Sequence, residues 1–138
     1  MASPSNEPPM SELLVSALDA IANGIYRIEL VDPNGDNLPE FTPGAHVRIE
    51  TPSGQMRHYS LCNDPDEQDR YVIAVKREEE GTGGSRSLVD ETRVGDRLKV
   101  SAPRNDFELT GNPARYIFIA GGIGITPILS MIHHLQAT

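Results

Sequence analysis

The sequence predicts a mainly β fold: a six-stranded antiparallel barrel over residues 11–110, then at 114–138 the first strand–helix unit of an open, Rossmann-like α/β sheet. Three observations carry this. Short runs of alternating apolar residues fill the first hundred positions, with turn signals between them at close spacing. After Pro113 the pattern changes to a continuous apolar run, Tyr116-Ile117-Phe118-Ile119-Ala120, as expected of a strand covered on both faces. A glycine turn then leads into Ile125, Ile128, Leu129, Ile132 and Leu135, which recur at helical spacing. A chain of 138 residues suffices for one full domain and hardly for two.

Taken in order, residues 1–10 hold three prolines among mostly polar neighbours and lack the charged start and apolar stretch of a secretory leader. They are expected to form a loose, disordered arm. Residues 13–22 are apolar-rich and end at Asn23-Gly24, a strong hairpin signal. Ile25-Tyr26-Arg27-Ile28-Glu29-Leu30-Val31 alternates at period two, and Asp32-Pro33-Asn34-Gly35 makes a turn. Phe41-Thr42-Pro43-Gly44 is a second break before the strand His46-Val47-Arg48-Ile49-Glu50. Pro52-Ser53-Gly54 turns the chain into a strand over 56–61, and an acidic loop over 64–69 leads to Tyr71-Val72-Ile73-Ala74-Val75. A short helix ending near Arg93 separates this strand from the last, over 97–101. Beyond it, Thr126 is a good N-cap with Pro127 at the first helical position. One strand and one helix cannot bury their own apolar faces, so the chain is expected to be incomplete at its C-terminus. That segment is expected to be disordered, to pair with another copy in self-association, or to be covered by residues outside the chain.

Composition narrows the function. The hydrophobic fraction of 38% and net charge of −8 suit a soluble globular protein, and no stretch approaches the roughly 20 apolar residues of a membrane span. With 12 Lys+Arg against 20 Asp+Glu, the chain is a poor partner for nucleic acid. Any anionic ligand must be held by local basic groups and backbone amides. The single cysteine, Cys62, excludes an internal disulfide, an iron–sulfur cluster and a Cys-type zinc site within this segment, and a reducing cytoplasmic setting is expected. His46, His58, His133 and His134 show no metal-ligand partnership, and no metal site is expected.

Three segments carry chemistry. On the strand Arg57-His58-Tyr59-Ser60-Leu61, Arg57, Tyr59 and Leu61 share one face while His58 and Ser60 share the other. A cation beside a flat ring suits a planar heterocycle with a phosphate tail, though an ordinary strand with an exposed arginine and a half-buried tyrosine reads the same way. In Gly81-Thr82-Gly83-Gly84-Ser85-Arg86-Ser87-Leu88, a glycine run lets backbone amides approach a ligand at a helix N-terminus. There Ser85 and Ser87 add hydroxyls, and Arg86 can pair with a dianion through its planar fork. Equally, Ser87-Leu88-Val89-Asp90 fits a capping-box-like helix start with no ligand at all. The third segment, Ala120-Gly121-Gly122-Ile123-Gly124-Ile125-Thr126-Pro127, suits a dinucleotide pyrophosphate between strand and helix, or a turn that only packs helix on sheet. It does not spell the G-x-G-x-x-G fingerprint.

In this order the segments resemble the flavin reductases of the ferredoxin–NADP reductase superfamily, and within it the phthalate dioxygenase reductase and vanillate O-demethylase reductase branch. The matching text is Arg57-His58-Tyr59-Ser60-Leu61-Cys62-Asn63-Asp64-Pro65, Tyr71-Val72-Ile73-Ala74-Val75-Lys76-Arg77, Gly83-Gly84-Ser85-Arg86-Ser87-Leu88, Ser101-Ala102-Pro103-Arg104-Asn105 and the Gly121 segment. The resemblance implies a ferredoxin reductase-like barrel in which Arg57 meets the flavin phosphate. Tyr59 and Ser60 then contact the ring and ribityl chain, and Gly84, Ser85, Arg86 and Ser87 complete the phosphate site. His58, Ala74, Val75, Lys76 and Gly83 are counted in the same cofactor site.

The resemblance implies FMN rather than the alternative, FAD, and two arginines with a helix N-terminus suit a terminal dianion better than a bridging pyrophosphate. Gly121, Gly122, Gly124 and Thr126 would line the nicotinamide side for NADH or NADPH. Members of the branch take a hydride from NADH and pass electrons singly to a [2Fe–2S] domain that feeds an aromatic-ring oxygenase or demethylase. Here that cluster would belong to a missing C-terminal domain, and no residue of the chain is assigned as catalytic. A flavin-binding or protein-docking module without catalysis, and a cofactor-free barrel adaptor, are the alternatives.

Overall fold

The computed structural model describes residues 9–105, a single antiparallel sheet of six strands and one short helix. The strands are β1 (Met10–Ala22), β2 (Ile25–Val31), β3 (His46–Glu50), β4 (Met56–Ser60), β5 (Tyr71–Lys76) and β6 (Arg97–Ser101), with α1 (Gly84–Asp90) between β5 and β6. They are arranged β4-β3-β6-β1-β2-β5, and every pairing is antiparallel. An isolated bridge between Leu61 and Ile73 joins the two ends of the sheet and closes the predicted six-stranded barrel.

The long strand β1 makes that closure geometrically available. It pairs with β6 through its first half and with β2 along most of its length. Its register with β2 shifts between Val15 and Ala17 and again between Ala20 and Ala22, irregularities of the kind that bend a strand around a barrel corner. Asn23-Gly24 is the tight turn between β1 and β2, with Gly24 at φ 74°, a left-handed conformation that costs glycine nothing. Alternation at period two then sends Ile28 and Leu30 from β2, Val47 and Ile49 from β3, and Leu98 and Val100 from β6 into one core. Tyr71 seals the lower end, its ring edge-on to Phe41 at 5.8 Å and its hydroxyl donating to the Pro39 carbonyl at 2.5 Å.

Two boundaries differ from the sequence expectation. β1 begins at Met10, inside the segment expected to be a loose arm, because Met10 pairs with Ser101 and the Ala102 N–H donates to the Pro9 carbonyl at 3.0 Å. Backbone pairing asks nothing of side-chain type, so composition does not reveal it. The helix begins at Gly84, after Gly83 in the left-handed region at φ 90°, and ends at Asp90 rather than near Arg93. Ser87 is therefore inside the helix and is not its cap. The residues expected to start the α/β sheet lie outside the described residues, as do Gly121, Gly122, Gly124 and Thr126. No helix among the described residues is long and apolar enough to cross a membrane.

Candidate functional site

The site is built where the sheet's two edges, joined at the Leu61–Ile73 bridge, run on without further pairing. Antiparallel continuation from the Leu61–Ile73 bridge would lay Ser60, Tyr59 and His58 against Ala74, Val75 and Lys76, yet the ladder stops at the bridge. No β4–β5 pairing among the described residues continues across the seam, which leaves strand-edge backbone groups on both sides. Just before the seam the chain is firmly sealed. The Cys62 N–H donates to the Val72 carbonyl at 2.9 Å, and buried Asn63 accepts the Val72 N–H and donates to the Arg70 carbonyl, both at 3.0 Å.

Strand alternation distributes β4 as the sequence predicts. Arg57 and Tyr59 pair with Ile49 and Val47, so they share the face that carries the core. Tyr59 is half-buried and packs against the core; burial raises its phenol above the ordinary range, against the opposing charge of Arg57. His58 and Ser60 take the other face, where exposed His58 stacks on His46 with ring centroids 5.2 Å apart. The structure thus brings Arg57 and Tyr59 together and places the His58 side chain away from them. On the opposite edge, Ala74 is half-buried, Val75 is wholly in the core and Lys76 is exposed at the strand end.

The glycine loop reaches this corner from across the fold. A Cβ added to Gly84 would lie 2.7 Å from Arg57 Nε and 2.9 Å from its Cζ, so the guanidinium rests directly on the glycine. Arg86 flanks the same loop: its Nη1 donates to the Glu79 carbonyl at 3.1 Å, and its Nη2 comes within 3.5 Å of where a Gly83 Cβ would stand. The exposed end of α1 is tied down by a two-pronged pair, Arg77 Nε to Asp90 Oδ1 at 2.9 Å and Arg77 Nη2 to Asp90 Oδ2 at 2.7 Å. That pairing holds the Asp90 carboxyl below its ordinary range.

The two serines part company. Ser85 Oγ accepts the Glu78 N–H at 3.0 Å, and among the described residues its own proton has no acceptor. Ser87 is buried, its hydroxyl 2.9 Å from the Gly84 carbonyl and 3.0 Å from Ser53 Oγ, so it struts α1 against the turn between β3 and β4. That role was not legible locally, because Ser53 is 34 positions away. Gln55 and Thr82, which hold Arg57, were likewise missed; both are small polar residues in turn-like text, and only their meeting gives them meaning.

Charge sorts the arginines. Arg27, Arg70, Arg77 and Arg97 each pair with carboxylates. Among the described residues Arg57 and Arg86 are held only by neutral oxygens, from Met56, Gln55 and Thr82 for the first and Glu79 for the second. In a chain of net charge −8, two guanidiniums with no ion pair of their own therefore bracket one glycine pair, although the charge of Arg86 is felt by the Asp90 carboxylate. That arrangement is chemically suited to an anion presented at the unpaired seam.

Cys62 has no part in it. Burial pushes its thiol up to about 11, against the opposing charges of Arg27 and Arg70, and the S–H donates to the Val72 carbonyl at 3.2 Å. At pH 8 a thiol-reactive probe is expected to modify Cys62 at least roughly tenfold more slowly than a small free thiol. A rate equal to the free thiol would show that the buried geometry does not hold. No group of three or more His, Cys, Asp or Glu side chains able to hold a metal occurs among the described residues.

Comparison with known proteins places this geometry. Residues 14–109 match the model of the oxidoreductase FAD-binding domain. The chain is 56% identical over 126 residues to a phthalate 4,5-dioxygenase oxygenase reductase subunit of Pseudomonas putida, covering 91% of this chain and 39% of that protein. It is 44% identical over 129 residues to a vanillate O-demethylase oxidoreductase of the same species, covering 94% and 41%. The solved structure of phthalate dioxygenase reductase, described as modular for electron transfer from pyridine nucleotides to [2Fe–2S], superposes with a TM-score of 0.91 at 48% identity, covering 93% of this chain and 40% of that one. The chain thus spans about two fifths of the length of these relatives.

Proposed function

The chain belongs to the oxidoreductase FAD-binding domain family, and on that premise we propose that it is the flavin-binding part of an NAD(P)H-dependent reductase that supplies electrons to an aromatic-ring oxygenase or demethylase. The observation that carries this reading is the pair of guanidiniums outside any salt bridge, Arg57 and Arg86, bracketing Gly83-Gly84 beside the unpaired seam in the barrel wall. The names of the relatives support the same direction: a dioxygenase reductase subunit and an O-demethylase oxidoreductase.

The residues present fit a flavin mononucleotide. A Cβ on Gly84 would collide with Arg57, so the glycine lets the guanidinium close onto the loop, where a phosphate can approach both it and the loop amides. Two guanidiniums and the Ser85 hydroxyl match a terminal dianion more closely than a bridging pyrophosphate, which favours FMN over FAD. Tyr59 offers a ring face and Ser60 a hydroxyl at the seam, where the strand edges supply donors and acceptors for a planar heterocycle. Ser87 supports the loop from behind rather than meeting the ligand.

A bound flavin would supply acceptance of a hydride from a nicotinamide and release of single electrons. The protein's part is to bind it, fix its plane along the seam and keep its phosphate end anchored. Gly121, Gly122, Gly124 and Thr126 are proposed to approach the nicotinamide, and the [2Fe–2S] acceptor is proposed to lie outside this chain. Self-association through residues 114–138 is a further proposal, checked by sedimentation.

Titration with FMN, FAD and riboflavin tests the reading. FMN is expected to bind tightest, at least roughly tenfold tighter than riboflavin, since hydrogen bonds to a charged group contribute about 1.5–3 kcal/mol. Equal affinity for FMN and riboflavin, or no binding of any of the three, would overturn it.

A further inference from the structure

Gln55 and Thr82 lie 27 positions apart and clasp each other in both directions. The Gln55 amide N–H donates to the Thr82 carbonyl at 2.7 Å, and the Thr82 hydroxyl donates to Gln55 Oε1 at 2.9 Å. Both side-chain oxygens also accept from Arg57 Nη2, while Nη1 donates to the Met56 carbonyl at 2.8 Å. With Gly84 against its Nε, the guanidinium is held in its plane by three oxygens and from one face by a glycine. The amide orientation is set by the network itself: an acceptor must face Arg57 and Thr82 Oγ1, and a donor the Thr82 carbonyl.

None of these partners is a carboxylate. A carboxylate would hold the guanidinium equally well but would cancel its charge and compete with an incoming anion. An amide and a hydroxyl order the long side chain while leaving the charge whole, which lowers the ordering cost that binding otherwise carries. From this contrast we infer that Gln55 and Thr82 are positioning residues that preset Arg57 for a phosphate without neutralising it. The inference rests on the phosphate-site reading above, and it concerns two side chains that need not touch the ligand.

The test is equilibrium binding of FMN and riboflavin to the purified protein and its variants. Gln55→Glu keeps the shape and adds a charge; it is expected to weaken FMN binding tenfold or more and to change riboflavin binding less than twofold. Thr82→Val is expected to weaken FMN binding three- to tenfold, with Thr82→Ser restoring it. In an Arg57→Ala background, Thr82→Val is expected to have less than a twofold effect, because its contribution acts through the arginine. Equal losses for FMN and riboflavin, or Thr82→Val adding in full to Arg57→Ala, would overturn the inference. If Gln55→Glu does not fold, the Thr82 cycle decides alone. A parent protein that does not discriminate FMN from riboflavin overturns the phosphate site itself and the inference with it.

Discussion

Arg57→Ala is expected to weaken FMN binding by about 1.5–3 kcal/mol, roughly 10- to 150-fold, with little change in riboflavin binding. The argument is one of place and charge. Arg57 is half-buried at the unpaired seam, is preset by three neutral oxygens and rests on Gly84. Arg86→Ala is expected to act in the same direction but less strongly, since its side chain is exposed and has one hydrogen bond.

Gly84→Ala separates site from fold. The added methyl would meet Arg57 Nε at 2.7 Å and its Nη2 at 3.0 Å, so the guanidinium must leave its Gln55–Thr82 seat while the backbone stays. Alanine is also compatible with the first position of a helix, where the interior advantage over glycine of about 1 kcal/mol is only partly realised. The variant is therefore expected to keep or gain thermal stability while losing FMN affinity as Arg57→Ala does, and the double variant is expected to be no worse than either single. Isothermal titration beside thermal melts measures both. Unchanged FMN affinity in Gly84→Ala would show that the guanidinium's seat on the glycine has no part in binding.

Ile28→Ala is expected to destabilise the protein by about 2–5 kcal/mol, a large share of the roughly 5–15 kcal/mol that holds a domain together. Ile28 is fully buried at the centre of β2, paired with Leu18 on β1 and Ile73 on β5, and Ile73 forms the bridge that closes the barrel. The cavity would open beside the closure, where neighbouring strands are least free to collapse into it. Ile21→Ala is the control: Ile21 is 57% exposed near the β1 turn, and its loss is expected to fall within about 0.5 kcal/mol. Denaturant midpoints measure the difference, and similar midpoints for the two variants would sink the account.

Much of the barrel could be read from the sequence because its signals are local. Alternation in Ile25-Tyr26-Arg27-Ile28-Glu29-Leu30-Val31, and the turns at Asn23-Gly24 and Pro52-Ser53-Gly54, depend on neighbours two to four positions away. The split of β4 into an Arg57–Tyr59 face and a His58–Ser60 face follows from the same period. Motif order likewise carried the family, since each short segment is ambiguous alone and the series is not.

Other features depend on which strands meet. Nothing in 55–57 announces Gly84 as its neighbour; the two come together because the sheet closes through Leu61 and Ile73 and carries α1 over the end of β4. Ser87 looked like a cap because its local text permits one, but Gly83 and Gly84 let the helix start earlier and Ser53 engages the hydroxyl instead. Met10 joined β1 because backbone pairing with Ser101 is independent of side-chain type. The sequence by itself determined the strand periods, the turns, the excess of acidic charge and which two arginines were candidates for a phosphate site. Only the tertiary structure decided that those arginines would flank one glycine pair, with Arg57 steadied by Gln55 and Thr82 and Arg86 by the Glu79 carbonyl. The physical reason is that charge balance and hydrogen-bond partnership are properties of distance in space, which register and closure set and residue spacing does not.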